Sequence, residues 1–160
     1  MEGVYLMSDG LRTVYARRLL AAFYFVNNFI SEGDNKYCSA AFAYEKAGKM
    51  ANALSKADDN DAEIPLWHFR SMTARFKGAN LQFRIKDYKN AVLKFEKVTV
   101  GDDSLVQNTW YHLADCHVQL GNKIKARSAF YAASNMAYDP QITEDALFSY
   151  AKLCYELSFA

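Results

Sequence analysis

The stretch that decides the fold is QNTWYHLADCHVQLGNKIKARSAFYAASNMAYDP, residues 107–140. Apolar and small residues recur every three or four positions on both sides of Gly121, which predicts two amphipathic helices joined by a turn at that glycine. Large side chains can interlock between two such helices, and alanines let the backbones approach closely. The residues of this pattern are Trp110, Leu113, Ala114, Ala126, Phe130 and Ala133.

The composition favours an all-α fold with a sizeable core. The chain has 160 residues, of which 51% are hydrophobic and 23% charged, and this length and balance suit one domain or one stack of repeats. Only 2 prolines and 7 glycines leave few turn signals for a β-rich fold. The formal net charge of +1 provides no broad basic surface for nucleic acid or for an anionic membrane.

The cysteines and the first apolar run indicate packing rather than disulfides or targeting. Three cysteines (Cys38, Cys116, Cys154) cannot all pair within one chain, and we interpret them as small apolar side chains. The apolar run 19–26 follows two arginines, but it is too short to span a bilayer and Asn27 interrupts it. A secreted natural protein would have lost its signal before this sequence begins.

The N-terminal part predicts an irregular helix pair. We expect helices over residues 11–30 and 36–56, a loop over 57–63, and a third helix from Pro65 to Arg84. The aromatic run 23–29 either completes a first repeat or folds over a groove. The predicted organisation is an N-terminal helix pair with its linker over residues 1–64 and repeats over 65–160, divided into 65–101, 105–138 and the first helix of a further repeat over 140–159.

Two later helices repeat the same pattern. Ala91 precedes Ala126 by about one 34-residue repeat period and one extra residue, which we place in the loop Val100 to Ser104. The helix that begins after Gly121 is expected to continue through Met136 to Tyr138. Asp139 can then cap a last helix that begins at Pro140.

The stretch from about Gly78 to Ala160 resembles tetratricopeptide-repeat proteins, most closely over residues 110–140. The runs 111–116 and 145–153 are also similar to segments of long bacterial cell-envelope tetratricopeptide proteins. This resemblance implies a right-handed α-solenoid of antiparallel helix pairs, here with about seven helices. It also implies a non-enzymatic scaffold that binds other proteins in the periplasm or cell envelope; a cytoplasmic location is the alternative.

Three positions differ from the family pattern. Lys86 stands at the usual turn glycine, Arg75 at the position matched by Trp110, and Tyr138 where a proline is common.

The resemblance also implies a binding surface. In tetratricopeptide proteins the first helix of each repeat lines a concave groove, and its fifth, ninth and twelfth positions face a bound peptide. The fifth positions here are all aromatic, which favours a ladder that holds a peptide or helix. The positions are Phe76, Asn80, Phe83, Tyr111, Asp115, Val118, Phe148, Lys152 and Tyr155. The alternative is that the aromatic side chains pack between neighbouring helices.

Other kinds of partner agree less well with the sequence than a protein bound in this groove. The resemblance gives no clamp for a terminal carboxylate, because Asp145 would repel one. RNA reading by a helical repeat is disfavoured, since the matching positions are aromatic. The remaining alternative is that the chain is a structural assembly unit and a fragment of a longer repeat array. Its last helix, Thr143 to Phe159, would then stack on another copy or on the rest of that array.

The sequence predicts no enzyme, cofactor or metal site. His112, Asp115, Cys116 and His117 share one predicted helix, but His117 lies about 140° around the axis from the face of His112, so we interpret them as packing residues. The acidic run 58–63 lacks the mid-loop glycine of a calcium site. No phosphate-binding loop or nucleophile motif occurs.

Overall fold

The computed structural model describes residues 37–57 and 64–159. All regular structure in those residues is helical, which confirms the all-α prediction for this part of the chain. The helices are α1 (Tyr37–Ala57), α2 (Ile64–Arg84), α3 (Tyr88–Phe95), α4 (Ser104–Gln119), α5 (Lys123–Ser134) and α6 (Pro140–Ser158), with a 3-10 turn, Glu96–Val98, after α3. No helix in the described ranges is long and apolar enough to cross a membrane. The predicted helix over 11–30, the aromatic run 23–29 and the acidic run 58–63 lie outside the described residues.

The chain divides into two compact units, Met1–Gly78 and Ala79–Ala160, and α2 contributes to both. In the first unit, α1 and α2 approach closely at glycines. A Cβ at Gly48 would lie 2.8 Å from Arg75 Cγ, and one at Gly78 would lie 3.4 Å from the Ala41 carbonyl oxygen. The Ser71 hydroxyl donates a hydrogen bond of 2.9 Å to the Gly48 carbonyl. A side chain at Gly48 would therefore require Arg75 to shift, whereas a Cβ at Gly78 would be in ordinary van der Waals contact with α1.

In the second unit, the same turn ends α2 and α4. Lys86 has φ 64° and Gly121 has φ 76°, so both adopt the left-handed conformation. The Asp87 amide donates to the Gln82 carbonyl at 2.9 Å, and the Asn122 amide donates to the His117 carbonyl at 2.8 Å. Each turn thus uses one left-handed residue to reverse the chain. The lysine adopts this conformation with a steric cost that glycine avoids.

The core of the second unit lies on both sides of α5. Helix α5 packs on α4 and on α6, whereas α4 and α6 contact each other only over a short stretch. The buried cluster is rich in alanine, which lets the helices approach closely. Its members are Ala114, Ala126, Ala129, Phe130, Ala133, Ala146 and Leu153, with Trp110, Tyr111 and Tyr150 packed against them.

Helix α5 ends at Ser134, so the predicted continuation through Met136 to Tyr138 is wrong. The physical reason is a set of hydrogen bonds from outside this helix. The buried side chain of Gln107 donates through Nε2 to the Ala133 carbonyl at 3.2 Å and also to the Met136 carbonyl. Its Oε1 accepts from the Asp139 amide at 2.8 Å. These bonds stabilise a non-helical backbone between α5 and α6.

The predicted start of the last helix is confirmed. Asp139 Oδ1 accepts hydrogen bonds from the Gln141 amide at 2.9 Å and from the Ile142 amide at 3.3 Å. Pro140 is the first helical residue, where its missing amide hydrogen leaves no intrahelical bond unmade. Helix α6 continues to Ser158 and carries the last third of the candidate site.

Candidate functional site

The candidate residues on α2 are half-buried. Phe76 belongs to the first unit, whereas Asn80 and Phe83 belong to the second. The Phe83 ring contacts Tyr88 edge-on at a centroid distance of 5.6 Å and His112 edge-on at 5.8 Å. Phe83 therefore already packs between α2, α3 and α4.

Tyr111 on α4 is also half-buried. Its ring contacts Phe130 of α5 edge-on at 5.7 Å. Burial raises the pKa of its hydroxyl, and the nearby carboxylates of Asp115 and Asp145 raise it further. Tyr111 thus packs on the cluster formed by α4, α5 and α6, with two carboxylates close enough to raise its pKa.

Asp115 and Val118 complete the candidate set on α4. Burial raises the pKa of the Asp115 carboxyl, although His112 acts in the opposite direction. The Asp145 carboxylate, near the start of α6, accepts a hydrogen bond of 3.1 Å from the Gln141 side chain. Val118, one turn further along α4, is exposed. This part of the surface is acidic and suits a cationic group on a ligand.

The candidate residues on α6 include the most exposed side chains of the set. Phe148 is 72% exposed and Tyr155 is 68% exposed, and Lys152 between them is also exposed. The Tyr155 ring lies 4.8 Å from that of Phe159, which is 74% exposed. Large apolar side chains on one stripe are unusual on a surface that contacts only water. We define the open face of α6 as Leu147, Phe148, Ala151, Lys152, Tyr155 and Phe159.

Helix α4 carries the same residue pattern as α6, but on α4 the corresponding face is covered by α5. When Trp110 is aligned with Leu147, Ala114 aligns with Ala151, and His117 aligns with Cys154. Ala114 and His117 are buried and Trp110 packs on the core, whereas Leu147 is 56% exposed and Ala151 is exposed. Among the described residues no helix lies over the open face of α6 in the way that α5 lies over α4.

The four residues considered as metal ligands, His112, Asp115, Cys116 and His117, lie in different environments on α4. His112 Nδ1 forms a hydrogen bond of 2.8 Å with the Asn108 carbonyl one turn earlier. His117 is buried on another side, against a pocket of about 310 Å³ that Trp110 and Lys125 also line. Burial lowers the pKa of His117, Lys125 lowers it further, and Glu96 opposes both. No group of three potential ligands converges in the described part of the chain.

The two cysteines with described side chains differ. Cys116 of α4 is fully buried, and burial raises the pKa of its thiol to about 12. Cys154 of α6 is half-buried, and a hydrogen bond to it raises the pKa of the Tyr150 hydroxyl. The side chain of Cys38 lies outside the described part. The interpretation as buried apolar side chains thus fits Cys116 better than Cys154.

Two residues that position the site were missed by the sequence analysis. Gln107 Nε2 donates to Thr143 Oγ1 at 2.8 Å, in addition to its bonds to the α5 end, and so it fixes the start of α6. The Tyr138 hydroxyl donates to the Asp102 carbonyl at 2.7 Å across the same junction. A polar glutamine on the apolar side of a helix is the signal that could have identified Gln107.

Comparisons with protein-family models, with curated proteins and with solved structures find no match to this chain.

Proposed function

We propose that the protein is a non-enzymatic interaction scaffold of the tetratricopeptide type, in which helix pairs form a right-handed solenoid and α6 presents a binding surface to another protein. The open face of α6 supports this proposal. It places two aromatic side chains, Phe148 and Tyr155, on one stripe with Lys152 between them, and both rings are more than two-thirds exposed. Exposed aromatic anchors next to a charge are typical of protein-binding surfaces.

The ligand would be a peptide or helix that lies along α6 and reaches the half-buried edge of α4. Apolar side chains of the ligand would contact Phe148 and Tyr155. A basic side chain would meet the carboxylates of Asp115 and Asp145, which flank Tyr111. A place in the bacterial cell envelope belongs to the same proposal, because it rests on the same resemblance.

An assembly unit is the second candidate function, and the alignment of α4 with α6 favours it. Helix α5 buries Ala114, while the aligned Ala151 is exposed. A helix of similar composition to α5 could therefore pack on the open face as α5 packs on α4.

The test is affinity capture from a lysate of the source organism. The bait is wild type, the Phe148→Ala, Tyr155→Ala double variant, or a control double variant. The control changes Phe42 and Leu93 to Ala, since these side chains are 62% and 59% exposed and lie on other helices. We expect a captured protein to be lost only with the α6 variant, after circular dichroism has shown equal folding. Equal capture by all three baits would refute the proposal.

A further inference from the structure

The open face of α6 is self-complementary when it is taken together with Glu144, one turn before Phe148. The exposed residues Glu144, Phe148, Lys152, Tyr155 and Phe159 are spaced three or four apart, which places them on one side of the helix. Phe148 lies midway between Glu144 and Lys152. A second α6 that runs antiparallel and crosses at Phe148 would therefore bring each Glu144 opposite Lys152 of the other copy.

From this symmetry we propose that the protein forms an antiparallel dimer through α6, with the two Phe148 rings at the two-fold axis. The inference rests on the proposed function, because it takes the open face of α6 to be the interaction surface and names a second copy as its occupant. A two-fold interface uses the same patch on both subunits. When that patch has a negative and a positive charge on either side of an apolar centre, each charge lies opposite the complementary charge of the other subunit.

The charges are available for these contacts. Glu144 and Lys152 are both exposed, and neither forms an ion pair within the described residues. By contrast, Glu156 on another side of α6 is paired with Lys123 of α5 at 3.0 Å. Glu156 is thus paired with α5, whereas the exposed charges of Glu144 and Lys152 are left for a partner.

The area of the face sets the strength of the dimer. Leu147 is 56% exposed, Phe148 is 72% exposed and Tyr155 is 68% exposed. Phe159 is not counted, because a crossing at Phe148 places it opposite position 137, which precedes α6 of the other copy. If a large aromatic side chain presents 150–250 Å² when fully exposed, the three counted side chains amount to on the order of 400 Å² per copy. Two copies would then bury about 800 Å², which is below the usual range for stable complexes. We expect a reversible dimer with a dissociation constant in the micromolar range.

Sedimentation equilibrium tests the proposal, with protein concentrations from about 1 µM to about 300 µM. The variants are Glu144→Lys, Lys152→Glu and the double swap. Lys89→Glu on α3 is the control for Lys152→Glu, because it makes the same change in net charge at another exposed position. Each single swap turns two attractive pairs into two repulsive ones, so the dissociation constant should rise about tenfold. The double swap should restore it to within about threefold, and Lys89→Glu should leave it unchanged.

Two results would overturn the dimer. One is a monomer at every concentration, and the other is a dimer whose dissociation constant the double swap fails to restore. These results are separate from the test of the proposed function. A monomer that still loses a captured protein in the Phe148→Ala, Tyr155→Ala variant would refute the second copy and keep α6 as a surface for another protein. If the dimer responds to the swaps but no other protein is captured, the dimer stands, and only the proposal that the protein binds other proteins is refuted.

Discussion

Helices α4 and α6 carry the same pattern of residues in opposite environments. Ala114 of α4 is fully buried beneath α5, whereas the aligned Ala151 of α6 is exposed, and Trp110 packs on the core where the aligned Leu147 is 56% exposed. The residue pattern of a helix thus indicates which of its faces can pack against another helix. It does not indicate whether that other helix lies in the same chain. We infer that the face of α4 contributes to stability and that the face of α6 contributes to association.

The largest expected difference between the two helices is at their first turns. Gln107 of α4 aligns with Glu144 of α6, and Gln107 is fully buried while Glu144 is exposed. Gln107→Ala should lower the free energy of unfolding by about 3 kcal/mol, because it leaves buried carbonyl and amide groups without partners. Glu144→Ala should change it by less than about 0.5 kcal/mol. Urea unfolding of both variants measures the difference, and similar losses would contradict the account of the α5–α6 junction.

The second difference concerns the aligned alanines. Ala114→Leu should cost about 2 kcal/mol of unfolding free energy, because the larger side chain has to enter a packed contact with α5. Ala151→Leu should cost less than about 0.5 kcal/mol, since that site is exposed and leucine is nearly as good a helix former as alanine. Thermal unfolding at low protein concentration provides the measurement. If Ala151→Leu proved the more destabilising change, the assignment of covered and open faces would be wrong.

A smaller effect is expected at the turns that end α2 and α4. Lys86→Gly should raise the free energy of unfolding by about 1 kcal/mol, because lysine is disfavoured in the left-handed conformation that it occupies. Gly121→Lys at the equivalent turn should lower it by a similar amount, since a Cβ at Gly121 would meet no atom within 4 Å and only the backbone conformation opposes it. Chemical denaturation of the two variants checks the signs. Two losses, or two gains, would show that the turns are not equivalent.

The smallest effect concerns pH and the covered face of α4. The pKa of His117 is lowered in the folded state, chiefly by burial, so the folded protein binds fewer protons there than the unfolded chain. The contribution of neutral His117 to the free energy of unfolding is present above the unfolded pKa of about 6.5 and is lost as the pH falls below that value. The free energy of unfolding of wild type should therefore decrease on acidification from about pH 7.5 to about pH 5.5.

The matched variant for this prediction is His117→Gln, which should show a weaker decrease over the same pH range. The difference between the two proteins isolates His117 from Asp115, whose raised pKa acts in the opposite direction. Parallel pH profiles would mean that α5 does not keep His117 neutral.

Local signals in the sequence predicted most helix boundaries in the described residues. Asp139 and Pro140 marked the start of α6, and the helix predicted from Pro65 to Arg84 corresponds to α2, which ends at Arg84. The end of α5 was missed because it depends on Gln107, which is distant in sequence. The Gln107 side chain donates hydrogen bonds to the carbonyls of Ala133 and Met136. Local propensity carries no information about such a bond.

The candidate site was predictable as a set of positions but not as a set of environments. Tyr111 and Phe148 occupy the same position in the repeat pattern, yet Tyr111 packs on Phe130 while Phe148 is 72% exposed. The difference comes from neighbouring helices rather than from the two residues or their spacing. The exposure of these residues could therefore be learned only from the tertiary structure. Of the three aromatic residues predicted to form a ladder (Phe76, Tyr111 and Phe148), only Phe148 is exposed.

The most direct test of the open face is a photocrosslink from position 148. Phe148 is replaced by a benzophenone amino acid in cells of the source organism, and the same replacement at Phe42, which is 62% exposed on α1, serves as the control. If the open face of α6 is an interaction surface, irradiation should yield a discrete adduct from position 148 and none of that size from position 42. No adduct from position 148, or the same adduct from both positions, would contradict the claim that α6 is where this protein binds its partner.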